Sequence, residues 1–222
     1  MRRHDLAYVS AEARPRFHCG AVDEALSSRV SAWIGAGRPL VVARQPAGCG
    51  DVLLGLTLPP GEGRQRIGCL VRREDVAQLR GPLGIGECVP RLTDEVALPL
   101  AALDRRLAAA GVRGGVYGSV AWEVLSGQAY RHAASDVDLI CDVASVAQAA
   151  ACLRMLADAA AELPCGLDGE VRFPDGAAVA WRELAAAWGR PDARVLVKGE
   201  VDVGLLPLSV MLKRFEEDGL HV

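Results

Sequence analysis

Apolar residues recur along the chain with two different periods, and these periods predict an alternation of helices and strands. Helical spacing runs through Val22–Gly35, Ala101–Ala110 and the alanine- and leucine-rich stretch Ala144–Leu163. Short stretches in which apolar residues alternate with polar ones are typical of strands, as at Val137–Cys141 and Cys165–Phe173. The pattern therefore predicts an α+β protein.

A stretch rich in glycine and proline divides these elements into two groups. Residues 79–92 show no clear period, so they are predicted to form a loop with a domain junction near residue 92. Residues 1–92 are predicted to form a small α+β domain. Its further elements are strands at Pro39–Ala43, Val52–Leu58 and Arg66–Val71 and a short helix at Asp75–Leu79.

Residues 93–222 follow the order strand, helix, strand, helix, strand, which predicts a mixed sheet backed by helices. The remaining elements predicted here are strands at Gly114–Tyr117, Ala177–Trp181, Arg194–Val197 and Val201–Leu206 and helices at Val120–Leu125 and Pro207–Asp218.

Composition and charge exclude several classes of protein. Of 222 residues, 51% are hydrophobic and 24% charged, which is typical of a globular protein, and no apolar run approaches the ~20 residues of a membrane span. The N-terminus lacks the apolar stretch of a secretory signal, and the seven cysteines form no C-x-x-C pair. We therefore expect a cytoplasmic protein whose cysteines are small core residues.

The net charge of −3 is unevenly distributed, at +4 over residues 1–92 and −7 over residues 93–222. Such a charge argues against non-specific binding to nucleic acid. The acidic half suits a site that collects metal ions, and the basic half suits phosphates or an acidic partner. Chance variation in a solvated surface explains the asymmetry equally well.

Two short motifs in the second half carry candidate chemistry. Gly118-Ser119 is predicted at a strand-to-helix turn, where glycine permits close approach and the free N–H groups of the helix form an anion site. Asp136 and Asp138 alternate with apolar residues, so both carboxylates lie on one side of a strand. Adjacent carboxylates repel unless a cation joins them, and Mg²⁺ prefers such oxygen ligands.

A third carboxylate is sought on a neighbouring strand, where it would complete a two-metal cluster. Glu170 is the favoured residue and Asp202 is the alternative. For either residue, an exposed strand position without chemistry remains the other interpretation.

Together these features resemble the nucleotidyltransferase superfamily with its polymerase-β-like core. The shared order is a strand, the turn Gly118-Ser119, a helix, and then a strand that carries Asp136 and Asp138. Further segments resemble a single family, the phosphoribosyl-dephospho-CoA transferases of malonate decarboxylase, also called malonate decarboxylase holo-acyl-carrier-protein synthases. These segments are Arg3–Leu6, Arg38–Arg44, Leu54–Pro59, Arg66–Gly68, Gly118–Trp122, Ser135–Leu139 and Ala180–Glu183.

The resemblance implies a metal-dependent nucleotidyltransferase. Its donor would be 2′-(5″-triphosphoribosyl)-3′-dephospho-CoA and its acceptor a serine of the apo acyl carrier protein subunit of malonate decarboxylase, with diphosphate released. Asp136 and Asp138 would hold two Mg²⁺ or Mn²⁺ ions, Gly118 and Ser119 would bind the donor phosphates, and Glu170 would help to deprotonate the serine. The N-terminal domain would bind the CoA moiety or the carrier protein, or act as a structural cap.

Several assignments stay open at this point. Arg182 is predicted to bind a donor phosphate or to pair with Glu183 or Glu170, and Lys198 is expected at a solvated strand end. Two other functions are compatible with the sequence: an ATP-dependent nucleotidyltransferase with a different acceptor, and a non-catalytic binding partner with the same fold.

Overall fold

The computed structural model describes residues 1–18 and 24–217. They form two compact units, one made of residues 1–18 and 24–82 together with 122–130, the other of residues 83–121 and 131–217. The division at Pro82 falls ahead of the junction predicted near residue 92. The short segment Trp122–Tyr130 groups with the first unit although the residues on both sides of it belong to the second.

The first unit is built on a six-stranded antiparallel sheet with the order β2-β5-β4-β3-β1-β6. Its strands are β1 (Leu6–Val9), β2 (Arg16–Phe17), β3 (Leu40–Val42), β4 (Val52–Thr57), β5 (Arg66–Val71) and β6 (Val76–Arg80), and its helix is α1 (Glu24–Gly35). Single 3₁₀ turns lie at Pro60–Glu62 and Arg73–Asp75. The first residues of the predicted helix, 22 and 23, lie outside the described residues.

The core of the first unit lies between this sheet, α1 and the segment 122–130. The Trp122 ring packs edge-on against Trp33 with centroids 5.6 Å apart, and it stacks on Tyr130 at 6.2 Å. The Tyr130 hydroxyl donates to the carbonyl of Thr57 at 2.9 Å. Trp122 is therefore a core residue of the first unit, not a platform for a ligand.

The second unit contains a seven-stranded sheet with the order β13-β12-β11-β10-β9-β8-β7, in which only β9 and β10 are parallel. Its strands are β7 (Leu83–Gly84), β8 (Arg113–Tyr117), β9 (Val137–Asp142), β10 (Leu167–Arg172), β11 (Ala178–Ala180), β12 (Arg194–Lys198) and β13 (Val203–Pro207). Its helices are α2 (Ile85–Cys88), α3 (Asp94–Ala109), α4 (Gly118–Ser126), α5 (Val146–Glu162), α6 (Trp181–Ala187) and α7 (Leu208–Glu217), with a 3₁₀ turn at Val89–Arg91. Helix α4 begins in this unit and ends in the first. The predicted mixed sheet with helices is confirmed.

The helices α3, α5 and α6 cover one side of this sheet. Helix α5 connects the two parallel strands and packs on β10, on α3 and on α6. Its Cys152 meets Cys141 of β9, and both side chains are fully buried. Alternate residues of β9 and β10 therefore face these helices, while Asp138 and Asp168 lie on the opposite side of the sheet.

Two predicted elements are wrong. The segment Asp75–Leu79 forms strand β6, which pairs with β1, instead of a helix. Residues 79–92 are not a loop, because they contain β7 and α2. The predicted return strand Ala177–Trp181 is observed as Ala178–Ala180, and helix α6 begins at Trp181. No helix within the described ranges combines the length and apolar character that crossing a bilayer requires.

Candidate functional site

The turn between β8 and α4 brings the two sequence motifs into contact. Tyr117, the last residue of β8, pairs with Asp138 on β9, and Gly118 follows with φ of +69°. A Cβ atom at Gly118 would overlap the carboxylate of Asp138. Glycine is thus required here twice, for its left-handed backbone and for the space that the carboxylate occupies. The beginning of α4, with Ser119, lies directly beside Asp138.

Asp136 and Asp138 lie at the start of β9, two residues apart. Asp136 is exposed, and its carboxylate lies against the backbone of Gly166, where a Cβ atom would overlap it. Each aspartate therefore contacts a glycine, one at Gly118 and one at Gly166. Within residues 1–18 and 24–217, no three His, Cys, Asp or Glu side chains converge as a metal cluster.

Asp168 is the acidic residue that lies next to this pair, and the sequence interpretation missed it. In the parallel register of β9 and β10, Asp168 pairs with Asp138, so both side chains lie on the same side of the sheet. The next residue, Gly169, has φ of +140°, and a Cβ atom there would overlap the carbonyl of Leu139. Because no other residue fits this close approach, the sequence Asp168-Gly169 was the available signal.

Glu170 lies two residues after Asp168 on β10 and is in register with Ile140. Its side chain is only 4% exposed, and its Oε1 atom accepts a hydrogen bond from the ammonium of Lys198 at 2.7 Å. Glu170 is thus on the same side of the sheet as Asp168, about 7 Å further along the strand at 3.3 Å per residue. Lys198, expected at a solvated strand end, is instead engaged with this carboxylate.

Asp202, the alternative third carboxylate, lies away from the aspartate pair. It is exposed in the turn between β12 and β13, where its carbonyl accepts the N–H of Gly199 at 3.0 Å. Its carboxylate also lies close to Gly199. The predicted strand Val201–Leu206 begins only at Val203, so Asp202 belongs to the hairpin turn.

Arg182 lies near the beginning of β10. Its guanidinium stacks over Trp181 at 4.4 Å and donates to the carbonyl of Leu167 at 3.2 Å. Trp181 is a buried residue whose indole N–H donates to the same carbonyl. Glu183 accepts the N–H of Leu196, and the contacts of the Arg182 guanidinium are with Trp181 and the Leu167 carbonyl.

A small polar pocket of about 240 Å³ opens beside Asp136. Arg131, His132, Ser135 and Cys165 are among the residues that line it. The His132 Nδ1 atom accepts the N–H of Ala134, and the Ser135 hydroxyl accepts the N–H of His132, so local hydrogen bonds hold this loop. Burial raises the pKa of the Cys165 thiol, and the nearby carboxylate of Asp136 adds to this effect.

A buried ion pair holds the far end of the two parallel strands. Arg172 is 1% exposed, and its guanidinium donates to both carboxylate oxygens of Asp142, at 2.5 and 3.0 Å. Arg113 also donates to Asp142, at 2.8 Å, from the surface. Burial alone would raise the pKa of Asp142, but the hydrogen bonds and charges of Arg172 and Arg113 outweigh it and lower the pKa.

Comparison with known proteins places both units in one class, that of transferases. The family model described as phosphoribosyl-dephospho-CoA transferase MdcG, N-terminal domain, matches residues 2–82, and the model of its C-terminal domain matches residues 79–209. The chain therefore belongs to the phosphoribosyl-dephospho-CoA transferase MdcG family.

Individual relatives agree with this assignment. A phosphoribosyl-dephospho-CoA transferase from Xanthomonas euvesicatoria pv. vesicatoria (strain 85-10) is 35% identical over 94% of this chain and 95% of its own length. Proteins of the same name from Bradyrhizobium diazoefficiens and Pseudomonas putida are 33% and 34% identical, over 82% and 74% of this chain and 81% and 76% of their own lengths. The comparison with solved structures returned no match.

Proposed function

We propose that this chain transfers the 2′-(5″-phosphoribosyl)-3′-dephospho-CoA group from its triphosphoribosyl precursor to a serine of the apo acyl carrier protein subunit of malonate decarboxylase. Membership of the family in both units supports this reaction. The observation that supports the location of the active site is the contact between Gly118 and the carboxylate of Asp138. This contact brings a helix N-terminus close to the pair of aspartates.

The proposed step is a phosphoryl transfer. The serine oxygen of the carrier forms a bond to the α-phosphorus of the donor, and the bond from that phosphorus to the oxygen shared with the β-phosphate breaks. Diphosphate leaves with the electron pair, and the serine loses its proton. Such a reaction needs positioning of the reactants and stabilisation of negative charge.

Asp136 and Asp138 fit the requirements of Mg²⁺, or of Mn²⁺ in the same role. Mg²⁺ takes oxygen ligands and usually combines one or two carboxylates with substrate phosphates and water, which agrees with a pair of aspartates rather than a closed cluster. When bound, such ions would neutralise phosphate charge and polarise the reacting oxygens.

Other side chains would act around this pair. The N–H groups at the start of α4 and the Ser119 hydroxyl would bind donor phosphates, since a helix N-terminus favours anions. Arg182, which is exposed and lies at the beginning of β10, would add a positive charge. Asp168, exposed and in register with Asp138, is proposed to accept the serine proton in place of Glu170.

The test is intact-protein mass spectrometry of the apo carrier protein after incubation with this protein, the triphosphoribosyl donor and Mg²⁺. We expect a mass gain equal to the phosphoribosyl-dephospho-CoA group, lost in Asp138→Asn and in the presence of a chelator. Asp158→Asn is the matched control, because Asp158 is an exposed acid on α5 that pairs with Arg106. Its activity should equal that of the wild type.

Three outcomes would contradict the proposal. A mass gain equal to AMP in a parallel incubation with ATP, without a gain from the donor, would indicate a nucleotidyltransferase with another substrate. No gain from either compound, with folded protein and a carrier protein that a verified relative modifies, would indicate a binding function. Activity retained by folded Asp138→Asn would refute the assignment of the site.

A further inference from the structure

Lys198 is the last residue of β12, the second strand of the seven-stranded sheet, and its side chain reaches β10 on the side where Asp138 and Asp168 lie. Its ammonium donates to the Glu170 carboxylate at 2.7 Å. The carboxylate is buried, whereas 29% of the Lys198 side chain remains exposed. The pair therefore combines a buried anion with a cation whose side chain is partly exposed.

The strand register explains how Lys198 reaches this position. Arg172 and Lys198 both pair with Ala178 of β11, and Glu170 pairs with Ala180, so all five residues face the same side of the sheet. Strand β11 contributes only two alanines to this side. Their small side chains leave room for the lysine to extend across β11 to β10.

Other cations on this side of strands β8 to β12 are engaged elsewhere. Arg113 and Arg172 donate to Asp142, and Arg172 is almost fully buried. Arg194 donates to a backbone carbonyl of the edge strand β13. Among these cations, Lys198 is the one whose partner stands next to the candidate site.

The residue type is itself informative. The chain has 23 arginines and two lysines, so it uses arginine at almost every basic position. An ammonium is a compact charge with three donors, and it can hold a carboxylate with one N–H while it offers another to a phosphate oxygen. A guanidinium bound to a carboxylate through its planar fork is less free to do both.

We propose that Lys198 binds a phosphate of the donor and that the buried Glu170 positions it, rather than acting as a base. This inference rests on the proposed transferase function. A reaction that releases diphosphate develops negative charge on the departing phosphates, and the nearby carboxylates of Asp138 and Asp168 would repel that charge. A cation held in place by a buried carboxylate would oppose this charge without having to be ordered on binding.

The decisive variants are Lys198→Met, Glu170→Gln and the double variant. Lys198→Met leaves a buried carboxylate without its cation, which threatens folding, whereas the double variant removes both charges and avoids that problem. Lys213→Met is the matched control, since Lys213 is the second lysine and is exposed on α7. The measurements are KM for the donor, kcat, and the dissociation constant of inorganic diphosphate by calorimetry in the presence of Mg²⁺.

We expect Lys198→Met, or the double variant if the single one does not fold, to raise the donor KM and weaken diphosphate binding at least tenfold. Lys198→Arg should recover part of this loss, and Lys213→Met should match the wild type. Once Lys198 is absent, Glu170→Gln should cause no further fall in kcat. If Glu170 were the base, kcat of the double variant would fall a further hundredfold, which would refute its positioning role.

Wild-type KM and diphosphate affinity in folded Lys198→Met would overturn the inference while leaving the transferase proposal intact. Conversely, diphosphate binding that depends on Lys198 in a protein that modifies no carrier would refute the proposed reaction and retain the phosphate site. Calorimetry needs no acceptor, so it separates the two failures.

Discussion

The ion pair between Asp142 and Arg172 provides a prediction about stability whose size follows from burial. Replacing Asp142 by asparagine removes the charge that compensates a guanidinium only 1% exposed to solvent. Breaking a buried ion pair by removing one partner typically costs ~3–5 kcal/mol. Because asparagine retains one hydrogen-bond acceptor, we expect a loss of about 3 kcal/mol in the free energy of unfolding.

Arg113 supplies the matched control, because it binds the same carboxylate from the surface. Its side chain is 69% exposed, and an ion pair of this kind contributes ~0–1 kcal/mol. Arg113→Ala should therefore cost at most about 1 kcal/mol. Urea unfolding measures the change in the free energy of unfolding of the whole protein. Amide hydrogen exchange in peptides from β9 and β10 measures the free energy of opening of the second unit alone.

The stability lost in Asp142→Asn should also become smaller as pH falls. The pKa of Asp142 is lowered in the folded protein, so its charge stabilises the fold above the pKa of the unfolded state and this contribution is lost as pH falls through the folded pKa. The difference between wild type and Asp142→Asn should be constant near neutral pH and shrink in acid. Equal losses in Asp142→Asn and Arg113→Ala, or a difference that grows in acid, would refute the reasoning.

Two further predictions concern the glycine turn and the cysteines. Gly118→Ala should lower the free energy of unfolding by ~1–2 kcal/mol because of its left-handed backbone, and it should abolish transfer because a Cβ atom displaces the Asp138 carboxylate. Gly189 has a similar φ and no neighbour within 4 Å of its Cβ position, so Gly189→Ala should lose stability only. Equal transfer activities in the two variants would contradict this account. In a pulse of iodoacetamide, mapped by peptide mass spectrometry, Cys49 should react before the other cysteines that the structure describes, because it is exposed. Burial raises the pKa of Cys69 to about 11, so it should stay unmodified in the folded protein, and equal rates for the two would be the contrary result.

Elements with a long, regular pattern were predictable from the sequence. The predicted helix Ala144–Leu163 is observed as Val146–Glu162, with the Ser145 hydroxyl accepting the N–H of Gln148 as its N-cap. The predicted strand Val137–Cys141 extends by one residue. Local periodicity suffices where an element buries one continuous face.

Short segments were predicted less well because distant partners determine their structure. Strand β6 is five residues long, and its pairing with β1 connects residues about seventy positions apart. Strand β7 has only two residues and is defined by its pairing with β8. Helix α3 begins at Asp94, well before the predicted start at Ala101, and contains Pro99, which local rules treat as a helix breaker. No window of neighbouring residues contains this information.

The identity of the third acid illustrates the same limit at the site. Asp168 and Glu170 are two residues apart and face the same side of β10, so alternation cannot distinguish them. The register against β9 does, since it sets Asp168 beside Asp138 and Glu170 beside Ile140. That register is established across a connection that includes the whole of helix α5, and Gly169 permits it by removing the side chain that would meet the Leu139 carbonyl.

The difference in burial favours the different roles that we propose for the two acids. A buried ion pair contributes little net stability, because the cost of removing both charges from water offsets their attraction. Packing alone therefore gives little reason for Glu170 and Lys198 to occupy this position, where two apolar side chains would serve the fold as well. An exposed Asp168 beside Asp138 suits proton transfer, and a buried Glu170 suits the orientation of Lys198. The pair makes physical sense when the lysine also has a ligand, and the donor phosphate that we propose beside the aspartates matches its charge.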